Sequence, residues 1–203
     1  IQNAVPAIPI GRLSVINGNE VLDYLEKITE YESVQRLSPQ TLDAREWMKN
    51  VVHVTGASDP FLGGVLCNYM EIYKHSIQDT LSGNKVYLFC KNTTNPTQQA
   101  GVEELRQLFQ TGMSILTYFG HSSATTLEFN IENPQNYNNE GKYPVFFVNG
   151  CNAGNFFTYY PQRLQVNETL SEKFVLAKRS AIESGSTENA PSVPRNTSRT
   201  LWL

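Results

Sequence analysis

The sequence predicts an α/β protein built on a mostly parallel sheet flanked by helices. Three observations predict it. Four short apolar runs are nearly continuous rather than alternating, as in strands covered on both faces. Amphipathic segments of helical period stand between most of them. Strand and helix therefore alternate along the chain, the pattern of parallel units joined by right-handed crossovers.

The first run, Val51–Gly56, is β-branched and ends in glycine. Lys85–Cys90, Ser114–His121 and Pro144–Cys151 follow as the second, third and fourth strands. Ahead of them, Val21, Leu22, Leu25, Ile28 and Val34 form an apolar stripe in a helix over Asn19–Arg36, with Asn19 as its N-cap. Leu66, Met70, Tyr73, Ile77 and Leu81 recur at helical steps before Gly83 stops them. Val102, Leu105, Leu108 and Phe109 repeat the pattern up to Gly112. Thr169 and Glu172 make a capping box, opening a helix that runs to Lys178 and Arg179, cations suited to its C-terminal dipole. Ser180–Ser186 reads as a fifth strand. Asn130–Tyr143, polar and rich in Asn, reads as a surface loop, and Glu188–Leu203 shows no periodicity.

With 203 residues the chain is expected to form one domain, at about 150 residues per domain. Its 40% hydrophobic content and its 10 Phe, 10 Tyr and 2 Trp suffice for a sizeable core and exclude general disorder. The net charge of −3, without a basic stripe, argues against a nucleic-acid partner. No run approaches the roughly 18 apolar residues of a membrane span. No signal peptide is visible, and the start at Ile1 suggests a piece of a longer precursor. Asn92, Asn167 and Asn196 head N-x-[ST] triplets, which a high Asn content explains. Cys67, Cys90 and Cys151 are odd in number and have neither CxxC nor zinc-ligand spacing. A disulfide framework is therefore not expected, and Cys67 and Cys90 read as packing residues.

In open α/β sheets, ligands bind beyond the carboxyl ends of the strands. His121 ends the third strand in Phe-Gly-His-Ser-Ser, and Cys151 ends the fourth in Val-Asn-Gly-Cys-Asn-Ala-Gly. If those strands are neighbours, the two side chains emerge side by side. A thiolate is a nucleophile, and an imidazole beside it can take its proton. Backbone N–H groups at Cys151 and next to His121 would then face the oxyanion of an acyl-transfer intermediate. Asp59, after the first strand, reads as a turn former, with a histidine-orienting acid as the alternative. His53 reads as a core histidine and His75 as a solvated one. Gly56, Gly63 and Gly64 lack the spacing and the lysine of a phosphate loop.

Several segments together resemble the gingipain family (C25) of cysteine peptidases. They are Ile8–Leu13, Lys27–Glu32, the Tyr118–His121 strand end, Asn149–Phe156 around the cysteine, and Ser180–Thr187. GHSSATT and KYPVFFVNGCNAGNFF are closest to the PorU-like sortases of the Bacteroidetes type IX secretion system. The resemblance implies a caspase-like (caspase-hemoglobinase) three-layer sandwich, represented in part by residues 1–187, with 188–203 an irregular tail. It implies Cys151 as nucleophile, His121 as general base and acid, and the amides of Ser122 and Cys151 as the oxyanion hole. The family's third, acidic member falls at or near Asp59. Substrates would be proteins or peptides, including C-terminal signals of exported proteins, met outside the cell or at the bacterial outer-membrane surface, together with other secretion-system components. No cofactor is implied, with calcium at structural loops as the one ion. Two departures stand out: Ser122 occupies a position that is usually glycine, and Glu183 lies in an expected buried strand. Together with the irregular tail they support the alternative, a caspase-like scaffold of a secretion or cell-surface assembly without catalysis.

Overall fold

The computed structural model describes residues 11–78, 81–91, 93–94, 101–131, 133–155 and 169–177. The Ser180–Ser186 strand, Glu183, the 188–203 tail, the Lys178–Arg179 helix end and the three N-x-[ST] asparagines lie outside the described residues. Within them, helix α1 (Gly18–Leu37) and a 3-10 segment (Asp43–Lys49) lead into strand β1 (Asn50–Gly56). Helix α2 (Pro60–Ile77), β2 (Lys85–Cys90), α3 (Val102–Thr111) and β3 (Ile115–Gly120) follow. A short 3-10 turn (Pro134–Asn136), β4 (Val145–Asn149) and α4 (Leu170–Leu176) complete the order.

All strand pairs are parallel and the sheet order is β2-β1-β3-β4. All seven residues of central β1 are buried, with Val52 and Val54 on one face and Val51, His53 and Thr55 on the other. On one face Val52, Val54, Leu116, Tyr118 and Phe146 pack with Leu105, Leu108 and Phe109 of α3 and Phe174 of α4. On the other, α2 covers β1 and β2. The result is the three-layer α/β arrangement that the sequence predicts. No helix among the described residues is long and apolar enough to cross a membrane.

Three expectations need correction. The cap of α1 is Asn17 rather than Asn19: its Oδ1 accepts from the Glu20 N–H at 3.1 Å, and Glu20 accepts from the Ile16 N–H at 2.8 Å. The α1 stripe does not face the core. Val21, Leu22 and Leu25 are exposed, whereas Lys27 is buried and donates to the Val175 carbonyl. The Asn130–Tyr143 segment is more than a surface loop. Its aromatics carry it inward: Tyr137 stacks on Phe109 with centroids 3.9 Å apart, and Tyr143 is buried against Tyr31.

The cysteine expectation also fails. Cys67 of α2 and Cys90 at the end of β2 form a disulfide with a Cα–Cα separation of 5.6 Å. The chain folds α2 back beside β2, so two cysteines that are 23 residues apart meet. Closing a loop of that size limits the unfolded chain and contributes about 3 kcal/mol. The odd cysteine left over is Cys151, free and exposed.

Candidate active site

The sheet order reverses direction at β1: the chain steps out to β2 and returns past β1 to β3. Such a switch point opens a crevice at the carboxyl ends of the strands. The last register pairs there are Gly56 with Gly120, and Phe119 with Asn149. Two residues further on, His121 and Cys151 leave neighbouring parallel strands at the same level. Both line one cleft of about 490 Å³, walled by Leu62 and Leu66 of α2 and by Phe119 and Val148. Sequence reasoning required this adjacency, and the structure supplies it.

The two loops are tied together. Ser122 Oγ donates to the Cys151 carbonyl at 2.7 Å. The first turn of α4 bridges them again, with Leu170 N–H donating to the Ala124 carbonyl at 2.8 Å and Ser171 N–H to that of Ala153 at 3.2 Å. A side chain at Gly150 would run into Ser122, and one at Gly120 into the Gly56 backbone, so glycine at both positions permits the close approach. His121 is held by its backbone. Its N–H donates to the Gly56 carbonyl at 2.7 Å, and its carbonyl accepts from the Tyr118 hydroxyl and from the Glu128 N–H. Burial pushes the Tyr118 phenol well above its ordinary range, so it remains a donor.

Ser122 fits where the family pattern has glycine. Among the described residues Asn152 alone has a positive φ without being glycine, so the Ser122 backbone is unstrained. A bridge joins Ser122 to Leu127, and its hydrogen bonds come from Ser123 N–H to the Thr126 carbonyl and from Glu128 N–H to the His121 carbonyl. The Ser122 N–H takes no part in that bridge. Asn152, at φ 60°, turns the chain sharply just after the thiol, a conformation Asn tolerates.

Asp59, the expected acidic member, stands in the turn between β1 and α2. Its Oδ1 accepts from the Leu62 N–H at 2.7 Å and caps α2, with Pro60 in the first turn. The carboxylate beside His121 is Glu128, which sequence reasoning missed. Both line a second, polar cleft of about 410 Å³ together with Ser58 and Ser122. Glu128 Oε2 accepts from Lys91 Nζ at 2.8 Å and from Ser58 Oγ at 2.9 Å. Desolvation pushes the Glu128 carboxyl up. The Lys91 and Ser58 hydrogen bonds and the charges of Lys91 and His121 outweigh it and hold the group below its usual value. The available signal was alternation: Leu127 and Phe129 are buried on either side of Glu128, turning it to the opposite face.

Of the other histidines, His75 is exposed and lies 3.4 Å from Glu71. His53 is buried with neither ring nitrogen hydrogen-bonded, and desolvation holds it below its ordinary value, hence neutral. No cluster of three or more His, Cys, Asp or Glu among the described residues is placed to hold a metal ion.

Comparison with known proteins places this chain in a family. The model of peptidase family C25 matches residues 2–199. No curated protein matches the chain. Among solved structures the chain is similar to the Arg-specific cysteine proteinase gingipain R. Identity is 16% and the TM-score 0.49, over 80% of this chain and 35% of that one. The chain thus spans about a third of that proteinase's length. The family match takes in both the His121 and the Cys151 loops, and the chain belongs to peptidase family C25.

Proposed function

We propose that the protein is a cysteine peptidase in which Cys151 is the nucleophile and His121 the general base and acid. The observation that carries this is the delivery of both side chains, by neighbouring parallel strands, into one cleft. His121 takes the Cys151 proton and the thiolate sulfur attacks the scissile carbonyl carbon. The oxyanion forms within reach of the Ser122 and Cys151 N–H groups. Collapse expels the amine, which leaves with the proton held by His121, and a thioester remains on Cys151. Water resolves it in a hydrolase. An amine resolves it in a sortase, the outcome suited to trimming C-terminal signals of exported proteins at a bacterial surface alongside secretion-system components.

The alternative of a catalytically silent scaffold drew on Ser122, Glu183 and the irregular tail. Ser122 no longer favours it, since the backbone there is unstrained and the side chain ties the two site loops together. Cys151→Ala in the full-length protein is expected to abolish peptide cleavage while leaving the melting temperature within a few degrees. Cleavage that survives the substitution contradicts the assignment.

A further inference from the structure

We propose that the cleft beside Cys151 is a specificity pocket for an apolar side chain, that of the substrate residue supplying the scissile carbonyl. Leu62 and Leu66 of α2 are its selecting wall. This deepens the peptidase reading, on which it rests, by naming the side chain that Cys151 meets.

His121 lines two clefts of opposite character. In the first its neighbours are Ser58, Ser122, Ser123, Thr126 and Glu128, a polar set. In the second, Leu62, Leu66, Phe119 and Val148 surround the free, exposed Cys151. The volume of the second, about 490 Å³, falls within the range of about 300–1,000 Å³ usual for ligand pockets, enough for a large side chain. No Asp, Glu, Lys or Arg among the described residues lines it. Two carboxylates that stand near by in the fold are engaged elsewhere. Asp59 caps α2 through the Leu62 N–H, and Glu128 accepts from Lys91 and Ser58. A charged side chain gives up its water on entering the apolar cleft and finds no fixed counter-charge among these residues, which is costly. An aliphatic or aromatic side chain gains by the same transfer.

The wall is in place before substrate arrives. Cys67, the residue after Leu66, is bonded to Cys90 at the end of β2. Gly63, the residue after Leu62, is packed so closely that a Cβ there would lie 3.5 Å from the Ala57 carbonyl oxygen. A preformed wall takes its ligand at little ordering cost. Connectivity assigns the occupant. In the acyl-enzyme the Cys151 S–C bond has replaced the amide C–N bond, and the amine has left with its proton. The residue that stays has its Cα bonded to the carbon on sulfur, so its side chain is the one kept beside the wall through both steps.

The test is a panel of peptidyl coumarin amides, alike except for the residue before the coumarin, cleaved by the full-length protein. With one leaving group throughout, kcat/KM reports the acyl residue alone. Leu and Phe are expected to exceed Gly, Arg, Lys and Glu by about tenfold or more. Leu62→Ala should lower kcat/KM several-fold for the Leu and Phe amides and leave the Gly amide unchanged, whereas loosened packing of α2 would lower all of them. Leu62→Glu should narrow the Leu-to-Arg ratio by about tenfold. A panel without preference, or one led by Arg, Lys or Glu, overturns the proposal. A second arm needs no turnover: calorimetric binding of the corresponding peptide acids to Cys151→Ala. Peptides ending in Leu or Phe should bind about tenfold tighter than those ending in Gly or Arg. Equal binding, or none, overturns the proposal. Preference in this arm, with no amide cleaved by the unsubstituted protein, refutes the peptidase reading and leaves the pocket assignment standing.

Discussion

Helices α1 and α3 were predicted by the same apolar spacing, and the structure uses them in opposite ways. Val102, Leu105, Leu108 and Phe109 of α3 all go into the core. The α1 stripe stays largely outside, with Leu22 64% and Leu25 52% exposed, while Glu20 and Lys27 turn inward. On α3 charge is confined to the side away from the stripe, so periodicity identifies a face. On α1 charged and apolar residues are interleaved around the helix, and polar ties decide the orientation instead. Lys27 donates to the Val175 carbonyl, and Tyr143 donates to Glu30. Periodicity reports which way a helix faces only when polar residues are excluded from the stripe.

Substitutions can break that contrast. The largest effect is expected from Phe109→Ala, which removes a ring 2% exposed and stacked on Tyr137. It should cost about 3–5 kcal/mol in a urea melt. Lys27→Ala strips a donor from the buried Val175 carbonyl and is expected to cost about 2 kcal/mol, although it removes a charged residue. Leu25→Gln, on the nominal apolar stripe, should change stability by less than about 0.5 kcal/mol. A Leu25→Gln variant that destabilises more than Lys27→Ala would reverse this account of α1.

The same contrast explains what was legible in the sequence. The strands were legible because β1, β2, β3 and β4 carry short continuous apolar runs, although among the described residues only β1 is buried along its whole length. The placement of His121 and Cys151 in one cleft was legible because each follows a glycine at the end of such a run, where parallel sheets open their clefts. What surrounds them was not. The Lys91–Ser58–Glu128 cluster depends on the relative register of three strand ends, and the Cys67–Cys90 bridge depends on how α2 lies beside β2. Neither leaves a local pattern. Asp59, read first as a turn former, caps α2 just ahead of Pro60, as an acid after a strand and before a proline does. Asn17 and Glu20 did hold a readable capping pattern, three residues apart, that marks the true start of α1.

The central claim is that Cys151 and His121 act as a pair, and iodoacetamide labelling followed by peptide mapping tests it most directly. With Cys67 and Cys90 joined, Cys151 should be the residue labelled in the native protein, rapidly at about pH 6, where an unassisted thiol is nearly inert. The account predicts that His121→Ala removes this low-pH reactivity while leaving labelling at alkaline pH intact. Labelling of Cys151 that rises only toward alkaline pH, identically with and without His121, would contradict the pairing.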